Sequence, residues 1–161
     1  RVAMSRDRLD EALTLYLRAR EIQEAVGDSY EVVILDAFIA EVHQLQGDGD
    51  QALARLADVR ARNRTVGAAL DYLARVEGYA QVLCGQRDAG LATLRRALAE
   101  ARADAAQYDE WRLLIALFEV DAGTPDDAEA LLALRPIMIE QLGIHPRLVA
   151  KAEALIGRER R

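Results

Sequence analysis

Three residues near the middle of the chain have the types and the spacing of a binding surface. Tyr72, Arg75 and Tyr79 stand at positions i, i+3 and i+7, which places them on one face of a helix. Aromatic rings and guanidinium groups contribute most of the binding energy at many protein interfaces. The spacing therefore indicates a site for a partner or ligand. The alternative is that both tyrosines pack in the groove between neighbouring helices.

The other reactive side chains do not form a catalytic or metal-binding set. Cys84 is the single cysteine, which excludes an internal disulfide, and its place in an apolar stripe indicates a small buried thiol. His43 and His145 are far apart in the sequence and have no further ligands at metal spacing. No nucleophile stands at a meaningful spacing from a base. We therefore predict that the chain is not itself an enzyme and uses no metal or cofactor.

Charge and hydropathy exclude further classes of function. The chain has 161 residues, a net charge of −6 and a pI near 5.0. We predict no nucleic-acid partner, because phosphate binding needs clustered cations. No apolar run approaches the ~20 residues of a membrane span and no signal peptide opens the chain, so we predict no membrane contact and a cytoplasmic location. We interpret one arginine-rich segment as a solvated helix face: Arg55, Arg60, Arg62 and Arg64.

Small residues recur at a nearly fixed interval along the chain. Gly47, Gly85 and Gly123 lie 38 positions apart, and we expect them at the turns between paired helices, with φ > 0. Three further columns keep the same register. Two are expected where helices cross closely, and the third where the second helix of each pair ends. These columns are Ala40, Gly78 and Ala116; Ala52, Gly90 and Ala128; and Gly27, Gly67, Ala105 and Gly143.

The spacing small–x6–Gly–x4–small, as in Ala40, Gly47 and Ala52, resembles the tetratricopeptide (TPR) repeat. The interval is longer than the ~34 residues usual in that family, and the tandem prolines that close TPR repeats are missing. Three stretches are similar to the C-terminal helical tail of actinobacterial class III adenylate/guanylate cyclases, and LuxR-type ATP-dependent regulators carry similar tails. These stretches are 73–80, 89–108 and 140–144.

The resemblance implies a non-catalytic regulatory segment of a larger bacterial signalling protein. The cyclase residues and the phosphate-binding loop of such parents have no counterpart in this chain, which contains no G-x4-G-K-[S/T]. The chain also begins at Arg1 and not at a methionine. We therefore interpret it as a C-terminal fragment of that larger protein.

The predicted fold is all-α: a right-handed α-α superhelix, or TPR-like solenoid, of about three and a half helix pairs. Apolar residues at three-and-four spacing predict eight helices, and Pro136 should kink or split the seventh. The predicted helices are 3–26, 29–46, 49–66, 68–84, 87–105, 108–122, 125–142 and 146–157. They form a single domain, 1–161, with a half repeat 3–26, repeats 29–66, 68–105 and 108–142, and a terminal helix 146–157.

The first helix of each pair should line the inner, concave face of such a stack. We expect that face to bind a peptide or a protein domain, including another domain of the same parent chain. The alternative is a small molecule held near Tyr72, Arg75 and Tyr79. We also expect self-association through the first helix, around Leu9, Leu13 and Leu17. The predicted concave face consists of Ile34, Glu41, Gln44, Tyr72, Arg75, Tyr79, Glu110 and Leu113.

Overall fold

The computed structural model describes residues 6–66 and 72–156, and every regular element in that part of the chain is helical. It comprises eight α-helices and one π-helical turn of five residues, which confirms the all-α class and the predicted number of helices. The helices are α1 (Arg6–Val26), α2 (Ser29–Gln46), α3 (Gly49–Val66), α4 (Leu73–Leu83), α5 (Arg87–Ala103), α6 (Gln107–Glu119), α7 (Pro125–Ala133) and α8 (Pro146–Ile156), and the π turn is Ile137–Gln141.

The predicted bounds of α2 and α3 agree with the structure at both ends. Asp28 caps α2 by accepting a hydrogen bond from the backbone N–H of Glu31 at 3.0 Å. Asp48 caps α3 in the same way through the N–H of Gln51, at 3.1 Å. α5 and α6 end before the predicted 105 and 122. The predicted start of α4 at 68 lies outside the described residues.

Most of the predicted turn glycines adopt the left-handed backbone that ends a helix. Gly47 has φ 86° and Gly85 has φ 77°. The prediction for Gly123 is wrong, because the positive φ at the end of α6 belongs to Asp121, at 53°. Gly123 instead lies on the ring of Phe118, where an added Cβ would collide with the ring carbons. The third turn therefore closes two residues earlier than the repeat predicts.

The fourth column marks helix ends as predicted. Gly27, Ala105 and Gly143 have φ values of 79°, 54° and 65°, and Gly67 lies outside the described residues. After α1, the N–H of Asp28 donates to the carbonyl of Gln23, five positions back. After Ala105, the N–H of Ala106 donates to the carbonyl of Ala101 in the same way, at 2.9 Å. Such a turn satisfies carbonyls that the helix end leaves without partners. Ala105 adopts it without the conformational freedom of glycine.

The remaining small residues are buried, as the packing argument predicts. Ala40 and Ala116 are 0% and 2% exposed, and Ala52 and Ala128 are 0% and 4% exposed. At the crossing of Gly78 and Gly90, a Cβ added to Gly90 would lie 2.5 Å from the Gly78 carbonyl oxygen. Helix backbones that approach so closely leave no room for a side chain.

Pro136 splits the predicted seventh helix. α7 ends at Ala133, and the π turn Ile137–Gln141 follows the proline at once. A proline supplies no N–H to the helix ladder, and its ring crowds the carbonyl four residues before it. The backbone resumes bonding through the N–H of Met138, which reaches the Leu134 carbonyl at 3.0 Å.

Residue contacts group the chain into two units, which divide inside α5 between Gly90 and Leu91. In the first, α1 to α4 pack as successive antiparallel neighbours around a core that includes Val33, Leu56 and Val76. In the second, α6, α7 and α8 pack on one another, and the buried residues there include Leu114, Leu131 and Val149. Among residues 6–66 and 72–156, no helix is long and apolar enough to cross a membrane.

Candidate binding cleft in the first helical unit

The predicted inner-face residues Glu41 and Arg75 meet in an ion pair between α2 and α4. Nη2 of Arg75 donates to Oε1 of Glu41. Both side chains are largely withdrawn from water, at 10% exposure for Arg75 and 20% for Glu41. A charge in such a place must be paired, because isolated burial is costly. The pair therefore fixes the position of the Glu41 carboxylate on this face.

Three aromatic rings form a row beside that ion pair. The ring of Tyr16 in α1 stacks on Phe38 in α2 with centroids 5.5 Å apart, and Phe38 stacks on Tyr72 at 6.1 Å. The Tyr72 hydroxyl is buried and makes no hydrogen bond. Burial raises the pKa of Tyr72, the negative charge of Glu41 raises it further, and Arg75 opposes both. Tyr72 is therefore a neutral phenol at any physiological pH.

A cleft of about 200 Å³ opens between α1 and α2 next to these rings. Its described walls are apolar apart from the Glu41 carboxylate and the Tyr16 hydroxyl. The aromatic row supplies two of the lining side chains, so the cleft, the row and the Glu41–Arg75 pair are continuous. The lining residues are Leu9, Ala12, Tyr16, Phe38, Glu41, Val42 and Leu45.

The other predicted inner-face residues have mainly packing roles. Ile34 packs on the core of the first unit, and Tyr79 is 8% exposed. Gln44 is 3% exposed, and its Oε1 has no hydrogen-bond partner. In the second unit Leu113 is buried, and Glu110 accepts a hydrogen bond from Nε of Arg102 at 2.7 Å.

Sequence reasoning missed a buried carboxylate, Asp36, on α2. Its Oδ1 accepts hydrogen bonds from Nε of Arg20 at 2.7 Å and from Nη1 of Arg55 at 3.1 Å. Nη1 of Arg62 lies 3.9 Å from Oδ2. The only sign in the sequence is one acid inside the apolar run 32–39. The arginines that neutralise Asp36 come from α1 and α3 and could not be assigned from α2 alone.

The arginine-rich segment of α3 is therefore not simply a solvated face. Arg55 and Arg62 belong to the Asp36 cluster. Arg60 makes a bidentate ion pair with Glu77, in which Nη1 donates to Oε1 at 2.6 Å. Paired guanidinium groups are held in place and carry less net positive charge to the surface.

Cys84 and His43 are both partly exposed. The sequence predicts a buried thiol at Cys84, and the structure shows it only partly buried. Sγ of Cys84 donates to Oδ1 of Asp50 at 3.3 Å. Burial raises the pKa of the Cys84 thiol, and Asp50 and then Asp48 raise it further. Burial lowers the pKa of His43 despite the opposing charge of Asp48. A thiol that stays protonated at pH 7 is a weak nucleophile.

The residues predicted to drive self-association do not form one exposed patch. Leu9 is 6% exposed and lines the cleft, whereas Leu17 is 37% exposed. The most exposed apolar side chains of α1 are instead Leu15, Ile22 and Val26. Self-association through α1 stays a prediction.

Within the described part of the chain, no three His, Cys, Asp or Glu side chains lie close enough together to hold a metal ion. The cleft is an apolar recess with one carboxylate in its wall, and it can accept an apolar group and a hydrogen-bond donor. Comparison with family models, curated proteins and solved structures found no match to this chain.

Proposed function

We propose that this chain is a non-catalytic interaction module that receives one anchoring side chain of a partner peptide or domain in the α1–α2 cleft. The single observation that carries the proposal is the cleft itself, about 200 Å³ between Leu9, Tyr16, Phe38 and Leu45. Pockets for drug-sized ligands measure roughly 300–1,000 Å³. A smaller recess suits one side chain, so its size favours a peptide over a small molecule.

The surroundings of the cleft supply rigidity and polarity. Stacked rings at 5.5 Å and 6.1 Å resist rearrangement, so an entering group meets a preformed wall. Glu41 lines the cleft and is oriented by Arg75. A carboxylate there can accept a hydrogen bond from the partner.

At the scale of the fold, we propose that the helix pairs stack as a right-handed TPR-like superhelix and regulate a linked catalytic or DNA-binding domain. Support comes from the buried small residues Ala40, Gly78 and Ala116 and from the positive φ values that recur at helix ends. The parent is a cytoplasmic bacterial signalling protein of the cyclase or LuxR-type kind, as the resemblance of the three stretches suggests. Another domain of that parent protein is then one source of the segment whose side chain enters the cleft.

The cleft is tested by filling it. Ala12→Phe places a ring in the recess from α1, while Ala57→Phe adds the same ring to an exposed position of α3. Peptides selected on the wild-type chain from a random display library are measured by isothermal titration. We expect peptides with one dominant anchor, whose affinity falls about tenfold or more in Ala12→Phe, or about 1.4 kcal/mol.

The same peptides should bind Ala57→Phe as they bind the wild type. Selection of no peptide, or equal affinity for both variants, would contradict a role for the cleft. If small polar compounds but no peptides protect the chain against thermal unfolding, and Arg75→Ala removes the protection, the site belongs to a small-molecule sensor.

The superhelix has a separate test. A compact chain of this length has a radius of gyration of roughly 15 Å. Small-angle scattering at low protein concentration should give a larger value if the helix pairs form an open stack, and a value of about 15 Å would refute that arrangement.

A further inference from the structure

Among the described residues that line the cleft, one is charged, and it limits what can occupy the cleft. Glu41 lines the recess and keeps only 20% of its side-chain surface in contact with water. A partner that covers the cleft removes much of that remaining hydration. Loss of hydration around a carboxylate is costly unless the occupant supplies a hydrogen-bond donor in its place. A purely hydrocarbon anchor therefore does not suit this recess.

The ion pair with Arg75 presents its acidic member to the cleft. Arg75 belongs to α4 and is not among the lining residues, whereas Glu41 is one of them. A charged donor is therefore favoured over a neutral one at the Glu41 carboxylate.

A second acid stands at the end of the cleft where Leu9 and Leu45 lie. Asp10 follows Leu9 in the sequence and is exposed. Its Oδ1 accepts a hydrogen bond from Nε2 of Gln46, the residue after Leu45, at 2.7 Å. This bond holds the Asp10 carboxylate beside the cleft. Both acids near the recess thus favour a positively charged partner.

The rest of the wall suits the stem of a long basic side chain. Lysine and arginine bury their methylene groups along apolar surface while the charged head reaches a polar group. The side chains of Leu9, Val42 and Leu45 supply such a surface. Tyr16 and Phe38 add apolar ring surface to that wall.

We propose that the anchor received by the α1–α2 cleft is a lysine or arginine side chain of a basic partner segment. Its stem packs on the apolar wall, and its cationic head donates to the Glu41 carboxylate. This inference rests on the proposed function, because it names the chemistry of the side chain that the cleft receives. It also predicts that acidic segments are excluded by repulsion from Glu41 and Asp10.

The first test varies the peptide and leaves the protein unchanged. In the selected peptides, an alanine scan identifies the anchor as the position with the largest loss of affinity, and we expect lysine or arginine there. The affinity of the peptide with lysine at the anchor position is then compared with that of the same peptide with norleucine there. Norleucine keeps the apolar stem without the charge. Where the anchor is arginine, it is first replaced by lysine. Isothermal titration on the wild-type chain should give an affinity about tenfold or more lower for norleucine, or about 1.4 kcal/mol.

The second test removes the carboxylate. Glu41→Gln should largely abolish the difference between the lysine and norleucine peptides. Glu77→Gln is the matched control, because Glu77 also pairs with an arginine between two helices of this unit but does not line the cleft. The lysine preference should survive in that control. If Glu41→Gln does not fold, the comparison of the two peptides on the wild-type chain still decides the question.

Failure of this inference is distinct from failure of the proposed function. Neutral or acidic residues at the anchor, or a norleucine peptide that binds as tightly as the lysine peptide, would overturn the cationic anchor. Ala12→Phe would still weaken binding in that case, because the cleft would still hold the anchor. Peptides that bind Ala12→Phe and the wild type equally would instead overturn the cleft itself.

Discussion

Among single residues, the buried Asp36 carboxylate should contribute strongly to stability. It is 1% exposed, and the Arg20 and Arg55 side chains that pair with it are 14% and 28% exposed. Asp36→Asn removes the carboxylate that Arg20 and Arg55 share and leaves Arg20 paired with Glu24 alone. Loss of one partner of a fully buried pair costs roughly 3–5 kcal/mol, and partial exposure of the arginines reduces this to about 2–3 kcal/mol.

Urea unfolding of the Asp36→Asn variant measures that loss. Asp58→Asn, at an exposed site on α3, should change the free energy of unfolding by less than about 0.5 kcal/mol. Equal effects of the two substitutions would show that the Asp36 cluster does not contribute to stability.

The thiol of Cys84 offers a test of local electrostatics. Because burial, the hydrogen bond to Asp50 and the nearby negative charges all favour the protonated thiol, its pKa is raised. Asp50→Asn should lower that pKa and increase the rate of reaction with a disulfide reagent at pH 8 roughly severalfold. Asp88→Asn, at an exposed site on α5, is the control. Identical rates in all three proteins would exclude an effect of Asp50.

At the scale of helices, the end of α5 is followed by a residue in a strained conformation. Ala105 has φ 54° and is exposed, so glycine there would relieve the strain without loss of packing. We expect Ala105→Gly to raise the free energy of unfolding by about 0.5–1 kcal/mol, measured by urea denaturation. Ala99→Gly inside α5 should instead lower it by about 1 kcal/mol. Destabilisation by both substitutions would refute the strain.

The start of α7 should respond to acid. Burial opposes ionisation of Asp127, but hydrogen bonds from Arg95 and Thr124 outweigh it, and the pKa is lowered. A lowered pKa in the folded state adds stability above the unfolded value of about 3.9, and that stability is lost as pH falls further. Urea midpoints at pH 6 and pH 3 should therefore differ less in Asp127→Asn than in the wild type. Asp126→Asn, exposed in the same turn, should behave like the wild type.

Helix positions were largely readable from local sequence. The cap residues Asp28 and Asp48 and the turn residues Gly27 and Gly47 act within a few positions of themselves, so α2 and α3 were predicted with correct ends. The error at Gly123 comes from a contact with Phe118, five positions earlier in the chain. That glycine accommodates a phenylalanine ring and not a positive φ, and small size serves either purpose equally well.

At the scale of the whole molecule, each unit has its own core, and core substitutions should be far more costly than surface ones. Leu56 is 2% exposed, and Leu56→Ala should lower the free energy of unfolding by about 2–5 kcal/mol. Leu83 is 38% exposed, and Leu83→Ala should cost much less. Urea denaturation followed by circular dichroism measures both. Similar losses would mean that the core around Leu56 is loosely packed.

The helices, most of their ends and the small residues between them are predictable from local sequence, because hydrogen bonds and backbone angles within a few residues decide these features. The pairing of Arg75 with Glu41 and the arginines around Asp36 depend on how the helices pack, because these partners are 34 and 16–19 positions apart in the chain. The cleft has the same origin. A helical period states which residues share a face, but the packing of other helices decides whether that face is covered or open to a partner.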